Sequence, residues 1–290
     1  MLELNLKALA KINLGLDVLR RREDGYHEVR MVMQTIHLYD KLQIRKLPKP
    51  GIEVTTNLYY LPSNENNLVY KAAKLLMDEF QIAEGVHIGL KKHIPVAAGM
   101  AGGSSDAAAV LFGLNRMFRL GLTQQQLMER GVKIGADVPY CILRGTALAE
   151  GIGERLTQLP PAPKCPVLIA KPSISVSTRM VYENLKLDEN TVHPDIDGMI
   201  KAIEAGDRQA MAEHMGNVLE SVTCVRYPLI GQLKETMMEY GAMNAMMTGS
   251  GPTVFGLFPD KRTARAALME IRRRGLAKHV YLTDMYNTGI

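Results

Sequence analysis

Cysteine is scarce in this chain, and its few copies are poorly placed for chemistry. Only Cys141, Cys165 and Cys224 occur among 290 residues, far apart and odd in number. With no C-x-x-C, a disulfide framework or a zinc site is excluded, and reduced, buried thiols are expected. The seven histidines form no metal constellation either. His87 and His93 are six apart, His193 and His214 are isolated, and H-E-x-x-H is missing. No apolar run approaches the ~20 residues needed to span a bilayer. The first residues, M-L-E-L-N-L-K-A-L-A-K, lack a basic flank followed by an apolar block, so they read as a strand rather than a signal peptide. A cytoplasmic protein without a membrane partner is expected.

What is present is ordinary globular material. Apolar residues make up 47% and charged residues 22%, enough to bury a core without staples. Length favours two domains. The net charge of +5 suits an anionic ligand but does not require one. Basic residues are scattered rather than striped, and Arg272–Arg274 ends a helix, where the dipole favours cations. The charge pattern therefore argues against a nucleic-acid surface. The 18 methionines read as adaptable core filling.

The first 60 residues read as strands. Ile12, Leu14, Leu16 and Val18 alternate with Asn13, Gly15 and Asp17. Asp24-Gly25 marks a turn. Further strands are expected over 29–38, 42–44 and around Ile52 and Val54. A helix follows over 68–80, with Val69, Ala72, Ala73, Leu76 and Phe80 on one face. A strand at 86–90 leads into a glycine-rich loop and a helix to Phe118. Thr123 and Gln126 form a capping-box pattern. Pro160, Pro161, Pro163 and Pro166 should interrupt regular structure. They place the expected boundary between a domain over 1–160 and another over 161–290. In the second half, helices are expected over 178–185, 195–205, 207–219, 228–240 and 260–273, and strands over 167–170, 245–248, 253–258 and 280–283.

The segment P-V-A-A-G-M-A-G-G-S-S-D-A-A-A, Pro95 to Ala109, follows a strand and opens a helix. Gly99, Gly102 and Gly103 would let backbone N–H groups approach a ligand. A helix N-terminus attracts phosphate. No lysine follows Gly103, so this is not a Walker loop, and the dinucleotide spacing G-x-G-x-x-G is missing from it. Physics alone leaves two readings open, a phosphate cradle or a tight strand-to-helix turn. Lys11 is in the same position, as a solvent-facing strand lysine or a site residue. Asp137, in G-A-D-V-P-Y, reads as a turn aspartate or a catalytic one.

Three segments in order resemble the motifs of the GHMP kinases. They are A-L-A-K-I-N-L-G-L-D (Ala8 to Asp17), the glycine-rich loop, and M-T-G-S-G-P-T-V-F (Met247 to Phe255). Their spread covers nearly the whole chain. One departure is Met100-Ala101, where many members carry Leu-Gly. The resemblance implies an α+β fold of two domains. The N-terminal one would be a ribosomal-protein-S5-domain-2-like α/β domain and the C-terminal one a ferredoxin-like α/β sandwich, with the active site in the cleft between them. It also implies ATP and Mg²⁺ as cofactors and phosphoryl transfer to a small-molecule hydroxyl, by an enzyme that is a monomer or weak homodimer.

R-R-E-D-G-Y-H-E-V (Arg21 to Val29) points within that family to a branch acting on a cytidine diphosphate ester of methylerythritol. Carried over by position, Asp137 is the catalytic aspartate, and Lys11 holds it ionised and neutralises the transferred phosphoryl. Pro95, Val96, Ala97, Ala98, Gly99, Met100, Ala101, Gly102, Gly103, Ser104 and Ser105 take ATP, with Asn67 and Lys92 near the adenine. Mg²⁺ comes with ATP, with Ser105 as a contact. Tyr26 and Tyr182 flank the cytosine, His27 meets its edge, and Asn13 meets the methylerythritol end. Gly249, Ser250 and Gly251 close the substrate side. Other branches, acting on mevalonate, homoserine or sugars, remain the alternative.

Overall fold

The computed structural model describes Leu2 to Thr288. In chain order its elements are β1 (Glu3–Arg21), β2 (His27–Leu47), β3 (Ile52–Thr56), α1 (Leu68–Glu79), β4 (Gly85–Lys91), α2 (Gly102–Phe118), α3 (Gln124–Val132), α4 (Val138–Leu143), β5 (Thr146–Gly151), β6 (Arg155–Gln158), β7 (Pro166–Lys171), α5 (Thr178–Asn184), α6 (Ile196–Glu204), α7 (Arg208–Glu213), β8 (Gly216–Asn217), α8 (Glu220–Arg226), α9 (Leu229–Glu239), β9 (Asn244–Met247), β10 (Val254–Leu257), α10 (Lys261–Arg273) and β11 (His279–Asp284). The chain folds into two compact units. The first holds Met1–Ala10, Leu38–Val96 and Ala101–Leu143, and the second holds Lys11–His37, Ala97–Met100 and Arg144–Ile290.

In the first unit, β4 pairs antiparallel with the end of β2, Lys41 opposite Lys91 through Leu47 opposite Gly85. β3 adds a parallel strand on the other side of β4. Four helices complete this unit. α1 starts where the Asn67 side chain accepts from the Val69 amide, satisfying one orphan donor of the helix start. Its buried stripe is Val69, Ala72, Ala73, Leu76 and Met77. Phe80, expected on that face, is instead the C-cap and partly exposed. α2 is built from small residues, and a Cβ on its Gly113 would come within 2.7 Å of Ile44 and 2.8 Å of Leu6. That glycine lets the helix lie close on the strands beneath. The Thr123–Gln126 capping box forms as expected, with both reciprocal bonds present.

In the second unit, the beginning of β2 pairs antiparallel with β5, and β5 with β6. A separate antiparallel sheet runs in the order β11-β7-β10-β9, with α9 and α10 packed on it. Pro160, Pro161 and Pro163 fall in irregular chain before β7, as expected, whereas Pro166 is the first residue of β7 and pairs opposite Asp284. Two expectations fail. β2 is one 21-residue strand rather than two, because it serves as pairing partner along both halves. The stretch 207–219 is not one helix. It breaks after α7, and the two-residue β8 pairs in parallel with Gly15 and Leu16, so tertiary pairing overrides local helical periodicity. α4, β5, β6 and α8 were not anticipated. No helix among the described residues is long and apolar enough to cross a membrane.

Candidate functional site

Strand β1 carries the first cluster, in the second unit. Every residue from Lys11 to Val18 is buried, the polar ones that alternate with the apolar side chains included. Lys11 is 5% exposed, so the solvent-facing reading of this lysine is wrong. Its backbone N–H donates to the Met100 carbonyl (3.2 Å), which pins the glycine-rich loop to the strand. Its ammonium donates to Asn13 Oδ1 (2.7 Å). A buried ammonium is costly without such partners.

Asn13 is fully enclosed. Its N–H donates to Thr248 Oγ1 (3.0 Å), and its side-chain amide points at the Met31 sulfur (3.3 Å). This geometry makes Asn13 the residue that orients Lys11.

Thr248 and Asn217 join this cluster and were missed in the sequence. The Thr248 hydroxyl lies 3.3 Å from the Gly99 carbonyl and 3.3 Å from Asn13 Oδ1. Asn217 donates its amide to the carbonyls of Met247 and Gly249, each at 2.8 Å, and accepts from the Leu219 N–H. It thereby clips the second glycine loop, Gly249 to Gly251. Ser250 in that loop shares a hydrogen bond with Thr178 (2.8 Å). The one sequence signal for Asn217 was an amide beside the glycine at 216, inside a stretch that otherwise reads as helix.

Two glycines of the first loop are packed closely against the protein itself. Gly99 has φ +70, and a Cβ there would sit 2.4 Å from the Thr248 carbonyl oxygen. At Gly102 a Cβ would meet Ile94 Cγ2 at 3.1 Å and the Lys92 ammonium at 3.2 Å. At Gly99 and Gly102 the place a Cβ would take is therefore occupied by the protein itself, whereas a Cβ on Gly103 would only touch Leu68 at 3.4 Å. Ala101 precedes α2 in a left-handed conformation, and no side chain caps the helix. The first N–H groups of a helix lack intrahelical partners and carry partial positive charge.

In the first unit, Ser105 is buried. Its hydroxyl donates to the Leu9 carbonyl, and Cys141 Sγ lies 3.2 Å away. Its N–H donates to the Ala101 carbonyl (2.8 Å). Ser105 therefore fixes α2 to β1 and has no hydroxyl proton left for a phosphate, whereas Ser104 stands half-exposed on the first turn. Lys92 is likewise reassigned. Its ammonium is enclosed by Asp40 and Asp106, not presented to an adenine. Asn67 is engaged as the α1 cap, and its amide donates to the Pro62 carbonyl (2.7 Å). Asp137 is half-buried immediately before α4, and its carbonyl accepts from the Cys141 N–H (3.1 Å). Among the described residues no group of three His, Cys, Asp or Glu side chains could hold a metal.

The D-G-Y-H turn lies in the second unit. Asp24 accepts from the Tyr26 N–H (3.0 Å), which closes the turn. Tyr26 is 61% exposed. The His27 and Tyr182 rings lie 5.0 Å apart, tilted by 40°. Burial, helped by the nearby Arg21 charge, lowers the His27 pKa, so the imidazole is neutral near pH 7 and can both donate and accept.

These clusters carry the motifs of one family. The profile for the GHMP kinases N-terminal domain matches residues 67–145, and that for the C-terminal domain matches residues 199–276. The chain belongs to the GHMP kinases, with their two-domain α+β fold, and is an ATP-dependent small-molecule kinase.

Individual relatives narrow this further. The chain is 58% identical over 285 residues to the 4-diphosphocytidyl-2-C-methyl-D-erythritol kinase of Lachnoclostridium phytofermentans, covering 98% of each chain. The enzyme of that name from Lachnospira eligens is 56% identical, again over 98% of each chain. A crystal structure of 4-(cytidine 5'-diphospho)-2C-methyl-D-erythritol kinase superposes with a TM-score of 0.84 at 31% identity, covering 99% of this chain and all of that one. A mevalonate kinase of L. major in complex with R-mevalonate shares the fold alone, with a TM-score of 0.76 at 15% identity.

Proposed function

We propose that this kinase transfers the γ-phosphoryl group of ATP to the 2-hydroxyl of 4-(cytidine 5'-diphospho)-2-C-methyl-D-erythritol, giving the 2-phosphate and ADP in isoprenoid precursor synthesis. The observation that carries the reading is the D-G-Y-H turn, which sets an exposed tyrosine beside a neutral histidine in contact with Tyr182. Such a group suits a flat, hydrogen-bonding base, and aromatic stacking on a base is worth ~1–3 kcal/mol. Mevalonate, homoserine and simple sugars have no base to stack. Full-length similarity to relatives bearing this activity in their names supports the same substrate.

In this reading the phosphates rest on the amides of Gly102, Gly103 and Ser104 at the uncapped head of α2. Phosphoryl transfer asks the protein for positioning and charge neutralisation. Asp137 orients the attacking hydroxyl and accepts its proton. Lys11, aimed by Asn13, neutralises charge on the transferred group. Mg²⁺ bound with ATP would offset phosphate charge, and the half-exposed Ser104 is the serine that would hold it. Residues 1–160 supply the ATP side, and residues 161–290 supply Tyr182 and the second glycine loop.

A substrate panel with ATP tests the reading. The cytidine diphosphate ester is expected to be phosphorylated with a kcat/KM at least a hundredfold above that for mevalonate, homoserine or galactose. Preference for any of those three would overturn it.

A further inference from the structure

Beneath the head of α2 lies a charged group that phosphoryl transfer does not call for. Asp40 is fully buried, Asp106 is 2% exposed, and the Lys92 ammonium bonds to both carboxylates. Asp40 comes from the middle of β2, Lys92 directly follows β4, and Asp106 stands just past the first turn of α2. The second oxygen of Asp40 accepts from the His93 and Ile94 amides. The Lys92 backbone is held in turn by Asn57, which accepts from its N–H (2.7 Å) and donates to its carbonyl (3.2 Å). One ammonium therefore ties a strand, the chain after a second strand, and helix α2. A Cβ on Gly102, the first residue of that helix, would come 3.1 Å from Ile94 Cγ2 and 3.2 Å from this ammonium.

Two carboxylates against one ammonium leave an excess negative charge in a dry place unless a proton is kept. The structure points to Asp106 as its holder. Its Oδ1 has no hydrogen-bond partner in the structure, whereas both Asp40 oxygens are bonded. Burial, with the neighbouring Asp40 charge adding to it, raises the Asp106 pKa despite Lys92. A neutral Asp106 leaves the positive field of the helix head uncancelled. An ionised carboxylate one turn inside would oppose an incoming polyphosphate.

We propose that Asp106, acting through Lys92 and Asp40, is a positioning residue for ATP: it clamps the first turn of α2 to the chain after β4, so that the Gly102–Ser104 amides are held ready for phosphate. The proposal rests on the reading that these amides take the nucleotide. Asp106 touches no reacting atom, and its effect belongs to nucleotide affinity alone.

The test uses the full-length protein. Amide hydrogen exchange at Gly102–Ser104 is followed with and without a non-hydrolysable ATP analogue and Mg²⁺. Dissociation constants are measured for that analogue and for the cytidine diphosphate ester. In the wild type the analogue is expected to protect these amides. Asp106→Ala leaves a balanced Asp40–Lys92 pair, so it is expected to fold. Its analogue Kd should rise at least tenfold while the ester Kd stays within twofold. Asp106→Asn, which reproduces a protonated carboxyl, should restore the analogue Kd to within threefold of wild type. Asp106→Val, which fills the space left by the carboxyl, should behave like Asp106→Ala and serves if the alanine variant is unstable.

Protection in the wild type with an unchanged analogue Kd in both Asp106→Ala and Asp106→Val would overturn the clamp and leave the helix-head reading intact. Equal weakening of both ligands would also overturn it, as a general structural defect. Absence of protection in the wild type would sink the helix-head reading itself, and the clamp with it.

Discussion

Lys11 is the residue whose setting says most. It sits on a strand buried on both faces and is aimed by Asn13. A lysine kept there costs desolvation that only a partner or a substrate charge offsets. Asp137, half-buried at the start of a short helix, is the complementary candidate. Asp137→Asn is expected to lower kcat by ~10²–10⁴ with ATP affinity nearly unchanged, as for loss of a positioned proton acceptor. Turnover within a factor of a few of wild type, in a steady-state assay, would make Asp137 structural. Tyr182, packed on His27, should act on the other side of the rate law. Tyr182→Ala is expected to raise KM for the cytidine substrate at least tenfold and to lower kcat by less. An unchanged KM would remove this ring from the pocket.

The motifs at Lys11, Asp137 and D-G-Y-H were legible from residue type and order. The roles of Asn13, Ser105 and Lys92 were not, because each depends on partners distant in sequence. Ser105 meets Leu9 and Lys92 meets Asp40 across 96 and 52 positions. Local pattern carries no record of such encounters.

At the scale of elements, the two glycine loops and the short strand β8 are held by backbone carbonyls and a few amides. Gly99 has a positive φ and a carbonyl where its Cβ would be. Gly99→Ala is therefore expected to destabilise the protein by roughly 1–3 kcal/mol, through strain and displacement of the Thr248 carbonyl. Gly103 has no such neighbour, since a Cβ there would only touch Leu68 at 3.4 Å. Gly103→Ala should leave the melting temperature nearly unchanged. Thermal denaturation of the two variants checks the contrast, and equal losses would show that the inward packing of Gly99 does not matter.

Elements with strong local signals were readable in the sequence. α1, the α3 capping box and α10 fall within a residue or two of expectation. The failures lie where tertiary pairing decides. β8 takes two residues out of an apparent helix because β1 offers an open edge at Gly15 and Leu16. β2 stays extended through Tyr39 and Asp40, because Asp40 is needed inside the first unit.

For the molecule as a whole, the motif order predicted a two-domain α+β GHMP kinase, and both family domains are present. The boundary drawn at the prolines treats the chain as two consecutive blocks. Along the sequence, segments of the two compact units alternate, and β1 and β2 each contribute to both. A strand that spans two units gives no composition shift at the crossing, so a one-dimensional reading has nothing to register. The full-length match to relatives that carry the cytidylyl kinase name bears on the substrate at this scale too, because the proposed base-binding residues come from both halves of the sequence.

The most direct measurement is a crystal structure with a non-hydrolysable ATP analogue and the cytidine diphosphate ester bound together. The account predicts that the nucleotide phosphates lie on the Gly102–Ser104 amides, that the cytosine lies between Tyr26 and Tyr182, and that the 2-hydroxyl points at Asp137. Phosphates bound away from the α2 head, or a cytosine remote from the D-G-Y-H turn, would contradict it.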